Sequence, residues 1–137
     1  MILGKVPTNK SVCLPSDPEV KFIPQIFGVD GYGDQDYSNE PPLNDWEWQF
    51  LGYNEPNQPD QSNIPPKVAA EHWKKLEEQY PDKVMISPAT GHADTEWFDA
   101  FWEECFILNC RIDYLATHLY TGTVDERMAQ LKAYSQR

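Results

Sequence analysis

The chain has 137 residues, of which 40% are hydrophobic and 13% aromatic, enough for one domain with a modest core and too few for two ordinary domains. It carries 22 acidic and 11 basic side chains, a net charge of −11 at pH 7. This charge repels phosphate backbones and anionic lipid, which excludes nucleic acid and membrane surfaces as partners and leaves neutral ligands open. No run approaches the roughly 20 apolar residues of a membrane-spanning helix.

The N-terminal segment shows no targeting signal. Met1 to Pro7 lacks the apolar stretch of a signal peptide. Residues 1–19 are predicted to form an N-terminal extension, and residues 20–137 the one folded domain.

The three cysteines, Cys13, Cys105 and Cys110, do not match the pattern of a redox or zinc site. Cys105 and Cys110 are five residues apart, which is too far for a Cys-x-x-Cys redox motif, and the partners of a zinc site are absent. Two interpretations of this pair stay open, ordinary thiols or a local disulfide. We expect no metal site and no cofactor.

The first half of the domain reads as strand, loop, strand and helix. Val20 to Phe27 is β-branched and aromatic and predicts a strand. Val29 to Asn44 is rich in Gly, Asp, Asn and Pro and predicts a long loop. Trp48 to Tyr53 predicts a second strand. Pro65 to Tyr80 has apolar residues at helical spacing after a proline start, which predicts an amphipathic helix.

The same alternation continues in the second half. Lys83 to Pro88 predicts a third strand, and a helix capped by Asp94 or Thr95 is predicted to reach about Leu108. Ile112 to Leu119 predicts a fourth strand. A final helix is predicted to open at the capping box that Thr123 forms with the glutamate three residues later.

Alternating strands and helices, with strands that are nearly unbroken apolar runs, indicate a parallel sheet covered by helices. Four strands and three helices amount to half of a (β/α)8 TIM barrel, which usually takes about 250 residues. The predicted fold class is therefore α/β, either a smaller open sheet or, as the strand-end residues favour, a partial (β/α)8 TIM-barrel-like domain.

The carboxyl ends of parallel strands meet at one rim, where active sites of α/β folds lie. The predicted rim holds Asp30, Asn54 with Glu55, Thr90, and His118 with Tyr120. For Glu55 the alternative is a solvated loop carboxylate, and its position after an apolar strand and before a rigid proline argues for a functional role.

The alternative for His118 is a structural role as a hydrogen-bonded residue of the framework. Tyr120 can either stack on a sugar ring or pack under a loop. We expect all five tryptophans to belong to the core, namely Trp46, Trp48, Trp73, Trp97 and Trp102.

The segments "FLGYNEPNQPDQSN", "AAEHWKKL", "VMISPAT", "WFDAFWEEC" and "IDYLATHLY" resemble the glycosyl hydrolase catalytic-core family, specifically glycoside hydrolase family 128. The resemblance runs from about Val20 to Tyr120. It implies β-1,3-glucan hydrolases on a (β/α)8 barrel, polysaccharide or oligosaccharide as the partner, and secretion.

By this resemblance Glu55, in the Asn-Glu-Pro motif, is the general acid/base of a retaining mechanism. Asn54 is implied to bind the sugar 2-hydroxyl, and His118 and Tyr120 to line the cleft and orient the sugar or the second carboxylate. The nucleophile of the family is a glutamate on a strand after the helix that begins near Thr123.

No nucleophile is evident among these 137 residues. Asp30, Asp34 and Asp36 lie on the long loop, and Glu126 is better explained as a helix cap. Three functions therefore stay open: a retaining β-1,3-glucanase-like domain whose chain lacks the nucleophile, a non-catalytic glucan-binding or interaction domain, and a barrel glycosidase for another β-glycan.

Overall fold

The computed structural model of the chain describes residues 23–33, 43, 48–93 and 95–136. The predicted N-terminal extension over residues 1–19 lies outside the described residues. So do Asp34 and Asp36 of the predicted long loop, the cap candidate Asp94, and Trp46.

Three parallel strands form the sheet in the order β1 (Gln49–Leu51), β2 (Val84–Thr90) and β3 (Tyr114–Thr117). The described part of the predicted first strand, residues 23–27, joins this sheet by one bridge, in which Gln25 pairs in parallel with Leu51. Two backbone hydrogen bonds support the bridge, from the Ile26 amide to the Leu51 carbonyl at 2.9 Å and from the Leu51 amide to the Pro24 carbonyl at 2.8 Å. The predicted set of four parallel segments is thus present, although the first is short.

An irregularity interrupts the pairing of β2 with β3 between Ile86 and Ala89. There the Ser87 hydroxyl, which is fully buried, accepts a hydrogen bond from the Ala116 amide at 2.9 Å. The side chain replaces a missing backbone acceptor, so the buried amide stays paired.

Three α-helices follow the strands, α1 (Pro66–Gln79), α2 (Thr95–Leu108) and α3 (Val124–Tyr134), and a 3-10 turn, Gly91–Ala93, leads from β2 into α2. The capping box of α3 is confirmed: Thr123 Oγ1 accepts from the Glu126 amide at 3.3 Å, and Glu126 Oε2 accepts from the Thr123 amide at 2.6 Å. Within the described ranges, no helix has the length and apolar character needed to cross a bilayer.

Trp73 lies at the centre of the core, where α1 and α2 pack on the sheet. Its ring centroid lies 5.9 Å from those of Phe50 and Tyr53 and 6.1 Å from that of Phe101. The indole Nε1 donates to the Arg111 carbonyl at 3.0 Å, so the buried ring leaves no polar atom unpaired. Other nearly or fully buried members of this core are Ile64, Ala69, Ala70, Met85 and Phe98.

The expectation that all tryptophans belong to the core is wrong for two of them. Trp73 and Trp97 are buried, but Trp48 is 55% and Trp102 is 40% exposed. Trp48 directly precedes β1, and although its carbonyl accepts from the Val84 amide of β2 at 2.9 Å, its side chain is left exposed at this end of the sheet. Trp102 lies on α2 beside the buried Phe98 and stacks on its ring at 6.0 Å, so the apolar face of α2 is wider than its contact with the rest of the core.

Cys105 and Cys110 are free thiols in the structure. Asn109, with a φ of 53°, ends α2, and the Cys110 amide donates to the Cys105 carbonyl at 2.9 Å. This is the hydrogen bond of a Schellman motif, which brings the side chains at its two ends together. Burial is the main cause that raises the pKa of both thiols, which makes them poor nucleophiles at neutral pH.

The face of the sheet turned away from α1 and α2 is open. Side chains alternate between faces along a strand, so Leu51 and Ile86 point opposite to the buried Phe50 and Met85. A concave cavity of about 710 Å³ lies along this open face. It is lined by sheet residues including Ile23, Leu51 and Ile86 and by Met128 and Leu131 of α3.

Two phenylalanines of α2 provide a matched test of the core. Phe101 is fully buried against Trp73, and Phe106 is 83% exposed. We expect Phe101→Ala to lower the free energy of unfolding by about 3–5 kcal/mol, because it removes a buried ring and leaves a cavity. Phe106→Ala changes helix propensity equally and should cost about 0.5 kcal/mol or less. Urea denaturation followed by tryptophan fluorescence measures both, and equal losses would contradict the core described.

The outer edge of the sheet provides a second test. Within the described residues β3 pairs only with β2, and its Leu115 is 39% exposed. Unpaired strand edges recruit other chains, so we expect the isolated 137-residue chain to associate as its concentration rises. Leu115→Lys should reduce this association, while Ile107→Lys, on the exposed surface of α2, should not. Sedimentation velocity over a concentration series measures the effect, and a sharp, reversible, concentration-independent melt would contradict the expectation.

Candidate active site

Backbone hydrogen bonds continue beyond the strands and align their carboxyl ends. The Glu55 amide donates to the Ala89 carbonyl at 2.8 Å, and the His118 amide donates to the Thr90 carbonyl at 3.0 Å. These bonds hold the residues that follow β1 and β3 against the end of β2. Three of the predicted site residues, Glu55, His118 and Tyr120, thereby come within hydrogen-bonding distance of one another.

The carboxylate of Glu55 is the centre of this cluster. Its Oε1 accepts from the Tyr120 hydroxyl at 2.5 Å and lies 2.7 Å from His118 Nδ1. The Tyr120 hydroxyl also lies 2.7 Å from His118 Nδ1. Nδ1 must carry a proton to donate to the carboxylate. Oε2 has no hydrogen-bond partner among the described residues, so one carboxylate oxygen is held and the other remains available.

Glu55 is not a solvated loop carboxylate, because only 8% of its surface is exposed. Its backbone has a φ of 43°, in the left-handed region that residues other than glycine seldom adopt. Such a conformation costs on the order of 1–3 kcal/mol and persists only where the surroundings enforce it. Here Pro56, which is fully buried, follows directly and restricts the chain.

The polar loop after β1 folds back on its own beginning. Asn54 Nδ2 donates to Gln61 Oε1 at 2.9 Å, and the Asn54 carbonyl accepts from the Ser62 hydroxyl at 2.7 Å. Gln61 and Ser62 therefore fix both the side chain and the backbone of Asn54. The loop tolerates little change, because a Cβ on Gly33 would lie 2.6 Å from the Gln61 carbonyl oxygen.

A second connection joins this loop to the end of β2. Asn57 Oδ1 accepts from the Gly91 amide at 2.8 Å, and Asn57 Nδ2 donates to the Gly91 carbonyl at 3.2 Å. A Cβ on Gly91 would lie 3.1 Å from Gln58 Cγ and 3.2 Å from Glu55 Cδ, so a larger residue here would push these two side chains aside. The paired hydrogen bonds of Asn57 hold Gly91 against the carboxylate.

His92, which directly follows Gly91, was missed by sequence reasoning. Its ring lies edge to face against Tyr120, with centroids 5.8 Å apart, and its side chain is exposed. A histidine after Gly at a strand end is a weak signal, so only the tertiary contacts reveal its proximity to the cluster. Asp30, another residue predicted at the rim, acts electrostatically on His72: its charge raises the pKa of that histidine, against the larger effect of burial, which lowers it.

The electrostatics of the cluster favour an ionised Glu55. Burial raises its pKa, but the hydrogen bonds from Tyr120 and His118, with the charges of His118 and His92, outweigh burial and lower the pKa from its ordinary value of 4.5. Burial, together with the hydrogen bond to Glu55 and its negative charge, raises the pKa of Tyr120 to about 12. Tyr120 is therefore a donor at neutral pH.

No group of three or more His, Cys, Asp or Glu side chains arranged to bind a metal ion occurs in the described part of the chain. One buried polar atom next to the cluster also stands out. The hydroxyl of Thr90, at the end of β2, has no hydrogen-bond partner among the described residues.

Comparison with known proteins identifies the family. The sequence pattern described as glycosyl hydrolase catalytic core matches residues 6–137. No curated protein sequence matches the chain significantly.

Solved structures of similar fold come from glycoside hydrolase family 128. A curdlan-specific exo-β-1,3-glucanase from Blastomyces gilchristii, crystallised with glucose, is 27% identical with a TM-score of 0.69, over 88% of this chain and 56% of that one. An exo-β-1,3-glucanase from Cryptococcus neoformans is 27% identical with a TM-score of 0.63, over 92% and 47%. An endo-β-1,3-glucanase from Amycolatopsis mediterranei, in complex with laminaritriose, is 28% identical with a TM-score of 0.53, over 65% and 38%.

This chain thus spans about half the length of the first two enzymes. The predicted fold class, a partial (β/α)8 TIM-barrel-like domain, is confirmed by these matches, and so is the resemblance to glycoside hydrolase family 128. The chain therefore belongs to the glycosyl hydrolase catalytic core family.

Proposed function

We propose that this chain provides the acid/base side of an active site that hydrolyses β-1,3-glucan with retention of configuration. The observation that carries the proposal is the buried carboxylate of Glu55, bonded through one oxygen by Tyr120 and His118 at the carboxyl ends of parallel strands. Membership of the family and the laminari-oligosaccharides bound by similar enzymes support this choice of substrate class. The partner is then a neutral polysaccharide or oligosaccharide, which the net charge of −11 does not repel.

Glu55 serves in this proposal as the general acid/base. Oε1 is occupied by two donors, so Oε2 carries the proton that passes to the glycosidic oxygen and later takes one from water. Asn54 Nδ2 uses one of its two protons on Gln61, and the other is available to a sugar 2-hydroxyl. His118 and Tyr120 orient the carboxylate and line the cleft.

A second carboxylate completes the mechanism and is absent from this hydrogen-bonded cluster. Retaining enzymes hold two carboxyl groups about 5 Å apart, and the second attacks the anomeric carbon. A neighbouring negative charge also raises the pKa of a carboxyl group, which offsets the donors that now lower the pKa of Glu55. We infer that the nucleophile is a carboxylate outside the residues that the structure describes.

Chemical rescue tests this assignment. We expect the chain to convert laminarihexaose with added azide into a glycosyl azide: azide attacks the anomeric carbon, the bond to the leaving oxygen breaks, and Glu55 protonates that oxygen. Glu55→Gln should lower this rate about 10²- to 10⁴-fold, the usual contribution of a general acid. Mass spectrometry of the products measures it.

Glu71→Gln, an exposed glutamate on α1, is the matched control and should leave the rate unchanged. Hydrolysis without azide that Glu55→Gln abolishes would show that this chain has its own second carboxylate. Binding of laminarihexaose with no cleavage, with or without azide, would overturn the catalytic proposal in favour of a non-catalytic glucan-binding domain.

The hydrogen bond from Tyr120 gives a prediction about pH. We expect Tyr120→Phe to raise the pKa of Glu55 towards 4.5, because a donor to the ionised form is lost. A carboxyl whose pKa is lower in the folded than in the unfolded state stabilises the fold above its unfolded pKa. That stabilisation is lost as the pH falls through the folded value. Acidification below about pH 4.5 should therefore destabilise the wild-type chain more than the variant.

A carbon-13 NMR titration of the glutamate carboxyl groups measures this pKa. Tyr114→Phe is the control, because Tyr114 lies on β3, is 63% exposed and forms no side-chain contact with Glu55. An unchanged Glu55 pKa in Tyr120→Phe would contradict the geometry of the cluster.

A further inference from the structure

His92 occupies an unusual position at the proposed cleft. It follows β2 in the turn Gly91–Ala93 and has a φ of 58° and a ψ of 27°, in the left-handed region. This conformation costs a residue other than glycine on the order of 1–3 kcal/mol, and it persists only where the surroundings enforce it. Neighbouring residues must therefore hold the turn in this conformation.

Asn57 supplies the restraint. Its amide group forms two hydrogen bonds with the backbone of Gly91, one accepted at 2.8 Å and one donated at 3.2 Å. Gly91 in turn lies so close to Glu55 that a Cβ would be 3.2 Å from the carboxyl carbon. Because His92 is the next residue, its backbone position is set relative to the carboxylate and not by an independent loop.

The ring of His92 faces the cluster while its nitrogens remain available. The ring packs edge to face on Tyr120, 5.8 Å away, and its charge lowers the pKa of Glu55, which reflects proximity to that carboxylate. Among the described residues, Glu55 and Tyr120 are titratable groups close to this ring. No described residue forms a hydrogen bond with either ring nitrogen of His92, and the side chain is exposed to solvent.

We propose that His92 is a substrate-binding residue that donates a hydrogen bond from its imidazole to a hydroxyl of the glucosyl unit bound beside Glu55. The inference rests on the proposed function. A neutral, polyhydroxylated ring that enters the cleft meets the carboxylate of Glu55, the side chain of Tyr120 and the imidazole of His92. Asn57 acts as the positioning residue that places this imidazole.

Two substitutions separate the imidazole nitrogens from the backbone conformation. His92→Phe keeps an aromatic ring and the constrained backbone but removes both nitrogens. His92→Gly removes the ring and relieves the backbone, since glycine adopts positive φ freely. We expect each to weaken binding of laminaritriose by about three- to tenfold, the worth of one net hydrogen bond. Isothermal titration calorimetry measures the dissociation constants.

Asn109→Gly is the matched control, because Asn109 also has a positive φ of 53° but lies at the end of α2. It should leave the affinity unchanged. Affinity retained by His92→Phe and lost by His92→Gly would mean that the ring only packs, and the proposed hydrogen bond would be overturned.

The outcomes also distinguish this inference from the proposed function. If the wild-type chain binds laminaritriose and Asn54→Ala weakens binding while neither His92 variant does, only the role of His92 fails. If the wild-type chain does not bind laminaritriose, both the role of His92 and the glucan substrate are overturned.

Discussion

Backbone hydrogen bonds between the strand ends are the interaction on which the candidate site depends. The bonds from the Glu55 amide to Ala89 and from the His118 amide to Thr90 extend the parallel ladder beyond the strands themselves. Without them, β1 and β3 would release their following residues into separate loops. With them, His118 and Tyr120 both reach one carboxylate oxygen of Glu55, which lies 63 positions before His118 in the sequence. The position of the cluster therefore follows from the pairing of the strand ends.

The hydrogen bonds of the cluster stabilise the ionised form of Glu55. Two donors on Oε1 stabilise the charged form, whereas a general acid must be protonated when its substrate binds. Both conditions are met when a second carboxylate lies close by, because its charge raises the pKa of Glu55 while the donors still fix the orientation of Oε1. In the proposed mechanism a partner carboxylate therefore favours protonation of Glu55 and also carries out the nucleophilic attack.

The two faces of the sheet differ in how completely they are covered. The face towards α1 and α2 is closed by Trp73 and its aromatic neighbours, whose polar atoms find partners. The opposite face borders a cavity of about 710 Å³ lined mainly by apolar strand residues and by α3. In a complete (β/α)8 barrel this inner face is filled by side chains of the other strands. In the described part of this chain, one face of the sheet is packed against α1 and α2 and the other borders the cavity.

The local sequence pattern determined most of the secondary structure of this protein. The helices, the parallel strands and the capping box of Thr123 and Glu126 all follow from hydrophobic periodicity and capping chemistry. The sequence also placed Glu55, His118 and Tyr120 at strand ends, since parallel strands share one rim. Only the tertiary structure decided that these three converge on a single oxygen, that Gln61 and Asn57 restrain the loop, and that His92 joins the site. Most of these contacts join residues 28 or more positions apart, and the Asn54–Gln61 bond lies within an irregular loop, so none of them leaves a periodic signal in the sequence. The exposure of Trp48 and Trp102 was decided in the same way, by how far the neighbouring layer extends.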